Sequence, residues 1–149
     1  MGYDLSGLGM ATPSLEHKQI SRNILINFYL QFGFTKYEIY QEAAANERDP
    51  DSLVPDLMIC KKGSRKPLIV VELERTKRLK RAKSKLEAYF EEYGVQEVFI
   101  CDYQTGIWLK YTTDYEQITD ESDIIKGLQF AGMTELPDQP PGKRKGGAK

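Results

Sequence analysis

The chain has 149 residues, with 21 Lys+Arg against 22 Asp+Glu, a formal net charge of −1, one histidine and two cysteines. That length implies one domain, and 40% hydrophobic residues, including 9 Tyr, 6 Phe and 1 Trp, suffice for an ordinary core. The balanced charge argues against a uniformly basic nucleic-acid binder, and no apolar run approaches the ~20 residues of a membrane helix.

The first residues lack the charged-then-apolar layout of a signal peptide, so a cytoplasmic protein without membrane contact is expected. Cys60 and Cys101 fall in strand-like runs without CxxC spacing, which favours buried thiols over a bridge or a zinc site. His17 stands alone, excludes His-pair metal motifs, and is expected as a surface or partly packed helix residue.

Residues 1–12 hold three glycines and no periodicity, and residues 133–149 end in a Pro, Gly and Lys mixture with Lys143, Arg144 and Lys145. Both ends are expected to be disordered, leaving 13–132 as the single domain. Thr12-Pro13 supplies a cap and a first-turn proline, and Leu15, Ile20, Ile24, Phe28 and Phe32 recur at helical spacing up to Gly33. Residues 35–42 read as a strand and 43–53 as a polar loop. Leu57–Cys60 and Leu68–Leu73 are buried-type strands joined by KKGSRK, a hairpin pattern.

Thr76 opens a helix running to about Tyr93, with Leu79, Ala82, Leu86, Tyr89 or Phe90, and Tyr93 inward and Gly94 ending it. Val98–Cys101 and Ile107–Tyr111 follow as strands across a turn at Gly106. Asp120 and Asp123 open a last helix that fades at Gly132. Tyr89, Phe90, Tyr93 and Trp108 have the spacing of core packing.

The hairpin carries the chemistry. A turn centred near Ser64 sets residues whose numbers sum to about 128 face to face, so Asp56 stands opposite Glu72 and Glu74 shares that face. Carboxylates gathered at one sheet edge raise one another's pKa unless a cation neutralises them. All-oxygen donors suit Mg²⁺ or Mn²⁺, and such ions usually serve phosphate chemistry. Glu72 directly follows LIVV, where burial of an unpaired charge is costly.

Pro55-Asp56, fifteen residues, then Glu72-Leu73-Glu74, inside an α-β-β-β-α-β order, resembles the PD-(D/E)XK, restriction-endonuclease-like superfamily of nucleases. The segment KLEAYFEEYGVQEVFICD is similar to one in bacterial restriction-endonuclease-like proteins, and ELERT to one in replication-relaxation proteins of mobile elements. The likeness spans roughly residues 14 to 112. It implies an α+β fold with a central mixed sheet flanked by helices. It also implies metal ligation by Asp56, Glu72 and the Leu73 carbonyl.

Position 74 departs from the pattern, which has Lys there to orient the attacking water. Glu74 would act as general base or hold a metal, and the lysine role passes to Lys85 or Lys77 on the next helix. Glu16, in the first turn of the first helix, is the acid that family members often bring to the metal; its plain alternative is to complement the helix dipole. Glu42, at the end of the first strand, is a further candidate. Lys77, Arg78, Lys80, Arg81, Lys83 and Lys85 crowd six positive charges into nine residues, a phosphate-facing surface if not a solvated one.

The resulting expectation is a Mg²⁺- or Mn²⁺-dependent DNA endonuclease, from a mobile element or a DNA-processing system. Cutting both strands calls for two active sites, hence a homodimer or a larger complex. The alternative is a degraded site of the same fold, serving as a nucleic-acid-binding or protein-interaction module, for which Glu74 is the main support. A plain α/β interaction domain with surface acids is the third reading.

Overall fold

The computed structural model describes residues 14–138. The expected Thr12-Pro13 cap, the disorder of residues 1–12 and the basic Lys143–Lys145 tail lie outside the described residues. Helix α1 spans Leu15–Phe32, and its cap is Ser14, whose hydroxyl oxygen accepts the N–H of His17 at 3.0 Å. Gly33, at φ +72°, ends the helix with its N–H on the Tyr29 carbonyl. Left-handed backbone of this kind favours glycine, which has no Cβ to clash.

Strands β1 (Tyr37–Gln41), β2 (Leu57–Lys61), β3 (Ile69–Glu74), β4 (Glu97–Asp102), β5 (Ile107–Tyr111) and β6 (Glu116–Ile118) form one sheet in chain order. All neighbours are antiparallel except β3 and β4. The parallel pair requires a crossover, supplied by a 3-10 turn at Thr76–Arg78, helix α2 (Leu79–Lys83) and helix α3 (Leu86–Glu91). The chain is thus α+β, a mixed six-stranded sheet flanked by helices, as expected of a restriction-endonuclease-like core.

Side-chain alternation divides the core between the two faces. Leu57, Ile59, Ile69, Val71, Leu73, Phe99 and Cys101 pack under Ile24 and Phe28 of α1. Val70, Val98, Ile100 and Tyr111 pack against Ala82 and Tyr89 on the other face. Glu72 and Glu74 have the parity of Val70, so they project toward the crossover helices at the carboxyl end of β3.

Three expectations need correction. The helix read from Thr76 to Tyr93 is broken at Ser84–Lys85. The Ser84 hydroxyl donates to the Arg81 carbonyl at 2.6 Å, and the Ser84 and Lys85 amides bond back to residues 80–82, which tightens the chain out of α geometry. The last helix is absent: residues 119–130 form turns with a bridge between Glu121 and Gln129. There Ser122 and Asp120 give their oxygens to nearby amides of Ile124, Ile125 and Ala131, and Gly127 adopts φ +87°. The three residues of β6 stand in the stretch left unassigned before it.

The third correction concerns the expected tail. The Asn23 side chain donates to the Thr134 carbonyl, and the Asn27 side chain to those of Met133 and Glu135. The ordered domain therefore passes Gly132. Its return path is fixed by Phe130, stacked on Trp108 at 5.4 Å and edge-on to Phe99 at 4.8 Å.

The candidate active site

The β2–β3 register pairs Leu57 with Val71, Met58 with Val70 and Ile59 with Ile69, so residues summing to 128 do face each other. The next rung would pair Pro55 with Leu73. Proline has no N–H to give, so the ladder stops there, and the Leu73 amide is taken instead by Asp56 Oδ2 at 2.7 Å. This is the physical use of the Pro-Asp pair: proline denies the Leu73 carbonyl its ladder donor while the aspartate satisfies the amide. On the other side, the Glu42 N–H holds the Asp56 carbonyl at 3.1 Å, with Glu42 in left-handed backbone at φ +49°.

Asp56, Leu73 and Glu74 open into one cleft of about 430 Å³. Ser14 and His17 of α1, Ser52–Val54 of the β1–β2 loop, Arg75, Arg78, Arg81, Lys85 and Tyr103 complete its walls. The loop wall is tied to the turn that follows α3 through the Tyr93 hydroxyl, which accepts the Leu53 amide at 3.2 Å. Glu72 lies beneath, 2% exposed, with the Tyr89 hydroxyl donating to one oxygen and Lys85 Nζ 3.6 Å from the other. The helix break is what aims Lys85 here, because Lys85 is the residue at which α3 restarts.

Burial, and then the charge of Asp56, push the Glu72 carboxyl up to about 7, against the opposing pull of Lys85. The same two causes raise Glu74. Arg78 stands 3.7 Å from Glu74. The acids therefore repel one another as foreseen, with cations of the crossover helices compensating only in part.

His17, expected on the surface or partly packed, is buried in the cleft wall at 8% exposure, with Nε2 3.2 Å from Asp56 Oδ1. The hydrogen bond to Asp56 raises its pKa against the opposing effect of burial. Glu16, the neighbouring candidate, is exposed and does not line the cleft. Glu42 is exposed too and contributes its backbone rather than its carboxylate. Of the basic run, Arg78, Arg81 and Lys85 line the cleft; Lys77, Lys80 and Lys83 are exposed on its outer flank.

Three site residues escaped the sequence reading. His17 shares a helical stripe with Ser21, Ile24 and Phe28, at spacings of four, seven and eleven, which marks it as inward-facing. Tyr89 sits in the core as its spacing indicates, yet its hydroxyl serves Glu72. Arg75 follows Glu74 directly and carried no separate signal.

The donor set fits a hard cation by its chemistry: the Asp56 carboxylate and the raised-pKa carboxyls of Glu72 and Glu74 beside a carbonyl without a ladder donor. Among the described residues, no three His, Cys, Asp or Glu side chains are grouped closely enough to cage a metal. Mg²⁺ does not need such a cage, since it keeps several waters and takes one or two carboxylates together with substrate phosphate.

No family model matches the chain, and no curated protein matches it significantly in sequence. Its fold is similar to that of a solved protein from Anabaena variabilis described as "a putative nuclease belonging to DUF820". The two are 17% identical, with a TM-score of 0.58 over 82% of this chain and 77% of that one. At that identity the likeness establishes a shared architecture, the α+β class already evident in the sheet.

Proposed function

We propose that this protein is a metal-dependent nuclease hydrolysing phosphodiester bonds in DNA. The observation that carries the reading is the meeting of opposite charges in one cleft. Asp56, Leu73 and Glu74 lie at its floor with Glu72 buried beneath them, and Arg75, Arg78, Arg81 and Lys85 at its wall. A surface made only to bind phosphate has no use for buried acids, whose charge is costly there.

Asp56, Glu72 and the Leu73 carbonyl would hold Mg²⁺ or Mn²⁺. When bound, such an ion supplies charge stabilisation at the phosphate and lowers the pKa of a coordinated water. Glu74 then accepts the proton of the attacking water, and burial suits it, because a raised carboxyl pKa makes a better base. Arg78 and Arg81 hold the phosphate in place. Lys85 neutralises charge developing beside Glu72, the role taken elsewhere in the resembled pattern by a lysine at position 74. The exposed Lys77 and Lys80 add salt-sensitive attraction for the flanking backbone without reading sequence.

The test compares wild type with Asp56→Ala and Glu72→Ala on plasmid, branched DNA and RNA in Mg²⁺ or Mn²⁺. Each variant is expected to lose cleavage, and activity surviving both changes would refute the site. Lys85→Ala should lower the cleavage rate roughly 100-fold, the usual scale for removing one charge-stabilising donor. Full activity of that variant would exclude the lysine.

A second reading is favoured by one observation. Glu74 and Glu72 already have Arg78 and Lys85 beside them, as in a site that has exchanged cation for protein charge. In that case DNA is bound without being cut, and binding weakens with salt but is indifferent to Mg²⁺.

A further inference from the structure

We propose that His17 is a positioning residue for Asp56: its imidazole fixes the carboxylate in the orientation from which Asp56 meets a divalent cation. The inference rests on the metal-dependent reading above.

Among the described residues, each oxygen of Asp56 meets one protein group: Oδ2 accepts the Leu73 amide at 2.7 Å, and Oδ1 lies 3.2 Å from Nε2 of His17 in a charge contact. The two donors come from opposite sides of the fold, a strand of the sheet and the first turn of α1. A carboxylate held this way cannot rotate without losing a bond, yet it keeps about half of its roughly four lone-pair sites for a cation or water. With the Asp56 carboxylate as acceptor, the hydrogen must be on Nε2, which donates. The other ring nitrogen, Nδ1, is buried and has no hydrogen-bond partner among the described residues. Among the described residues, the contact with Asp56 is thus the one direct polar contact made by this ring.

The ring is itself held in place. Ser14 caps the helix through the His17 amide, and the Ser14 hydroxyl also meets the Tyr103 hydroxyl at 3.1 Å. The Tyr103 ring stands edge-on to the imidazole at 6.3 Å. The helix cap, the β4–β5 turn and the imidazole therefore form one brace behind Asp56. A histidine needed for packing alone would not bring a donor to a carboxylate at the cleft floor.

Full-length wild type, His17→Phe and His17→Gln separate the donor from the ring. Phenylalanine keeps the ring volume without an N–H, and glutamine restores a donor at similar reach. The first readout is Mn²⁺ affinity, from loss of the free-ion paramagnetic resonance signal; the second is the kcat and KM of plasmid cleavage. His17→Phe is expected to weaken Mn²⁺ binding and lower kcat by ~10–100-fold each, the usual cost of losing a group that orients a ligand. KM for DNA should stay within about threefold and His17→Gln should recover most of both losses, since neither change touches the phosphate contacts.

Wild-type Mn²⁺ affinity in a folded His17→Phe overturns the proposal, as does a His17→Gln no better than His17→Phe. If phenylalanine does not fit, His17→Leu gives the donor-less comparison. Should wild type bind Mn²⁺ but cut nothing, the nuclease reading fails while the Mn²⁺ affinities still decide on His17. If wild type binds no Mn²⁺, both fall.

Discussion

Glu72→Gln is expected to abolish cleavage, with a loss of roughly a thousand-fold or more, and at the same time to stabilise the metal-free protein. The loss follows from removing charged donor capacity worth several kcal/mol to a transition state, about 4 kcal/mol being a thousand-fold. The gain follows from burial. Glu72 is 2% exposed and its carboxyl is lifted from an ordinary 4.5 to about 7. The folded state therefore holds a proton that the unfolded state has released, and ionising the group in place costs free energy.

For an acid whose folded pKa is raised, the stabilising contribution is complete below about 4.5 and disappears as the pH rises through about 7. The two proteins should thus match in urea midpoint near pH 4, while at pH 8 the glutamine variant should lead by about 1–3 kcal/mol, since each tenfold change in proton affinity is worth ~1.4 kcal/mol. Added Mg²⁺ or Mn²⁺ should close that gap by stabilising only the wild type. A destabilised Glu72→Gln at pH 8 would contradict the account of the site as an unneutralised acidic centre.

The second large effect lies away from the cleft. Lys110 of β5 is 1% exposed, with Nζ 2.6 Å from Asp123 and 3.4 Å from the equally buried Glu97. Burial pulls the Lys110 pKa down, but the Asp123 hydrogen bond and the Glu97 charge more than reverse this, so the amine stays charged. Glu97 in turn accepts from the Ser122 hydroxyl and the Asp123 amide, both at 2.7 Å. This network pins residues 119–130 to the sheet.

Lys110→Met leaves Glu97 buried without its cation and should cost about 3 kcal/mol, since breaking a buried pair costs more than the pair contributes. For a domain of this size that is a fall of roughly 10 °C in melting temperature. Adding Glu97→Gln should recover part of the loss. Cleavage at a permissive temperature should be unchanged. An unshifted melting temperature would mean that the network contributes nothing.

Much of this could be read from the chain because the relevant signals are local. Apolar runs bounded by turn residues locate β2, β3, β4 and β5. The glycine turn between Lys61 and Leu68 sets the register that pairs Leu57 with Val71 and so brings Asp56 to the end of β3. A strand's two-residue period then decides that Glu72 and Glu74 share a face. Even the raised carboxyl pKa followed from like charges on one edge, although burial proved the larger cause.

The rest depended on partners distant in sequence. His17 looked like an ordinary helix residue because its partner is thirty-nine positions away, across the sheet. Tyr89 announces only an aromatic at core spacing, and nothing local says that its hydroxyl meets Glu72. Residues 120–132 have acids and apolar residues at nearly helical spacing. Glu97 and the side chains of Ser122 and Asp120 offer their backbone better partners than a helix would, while Lys110 holds the Asp123 carboxylate. The sequence by itself determined five of the six strands, the shared face of Glu72 and Glu74 and the presence of a basic run after them. Only the tertiary structure decided which cation reaches which acid, because one broken helix turn at Ser84 brings Lys85 to Glu72 while Lys77 remains at the surface.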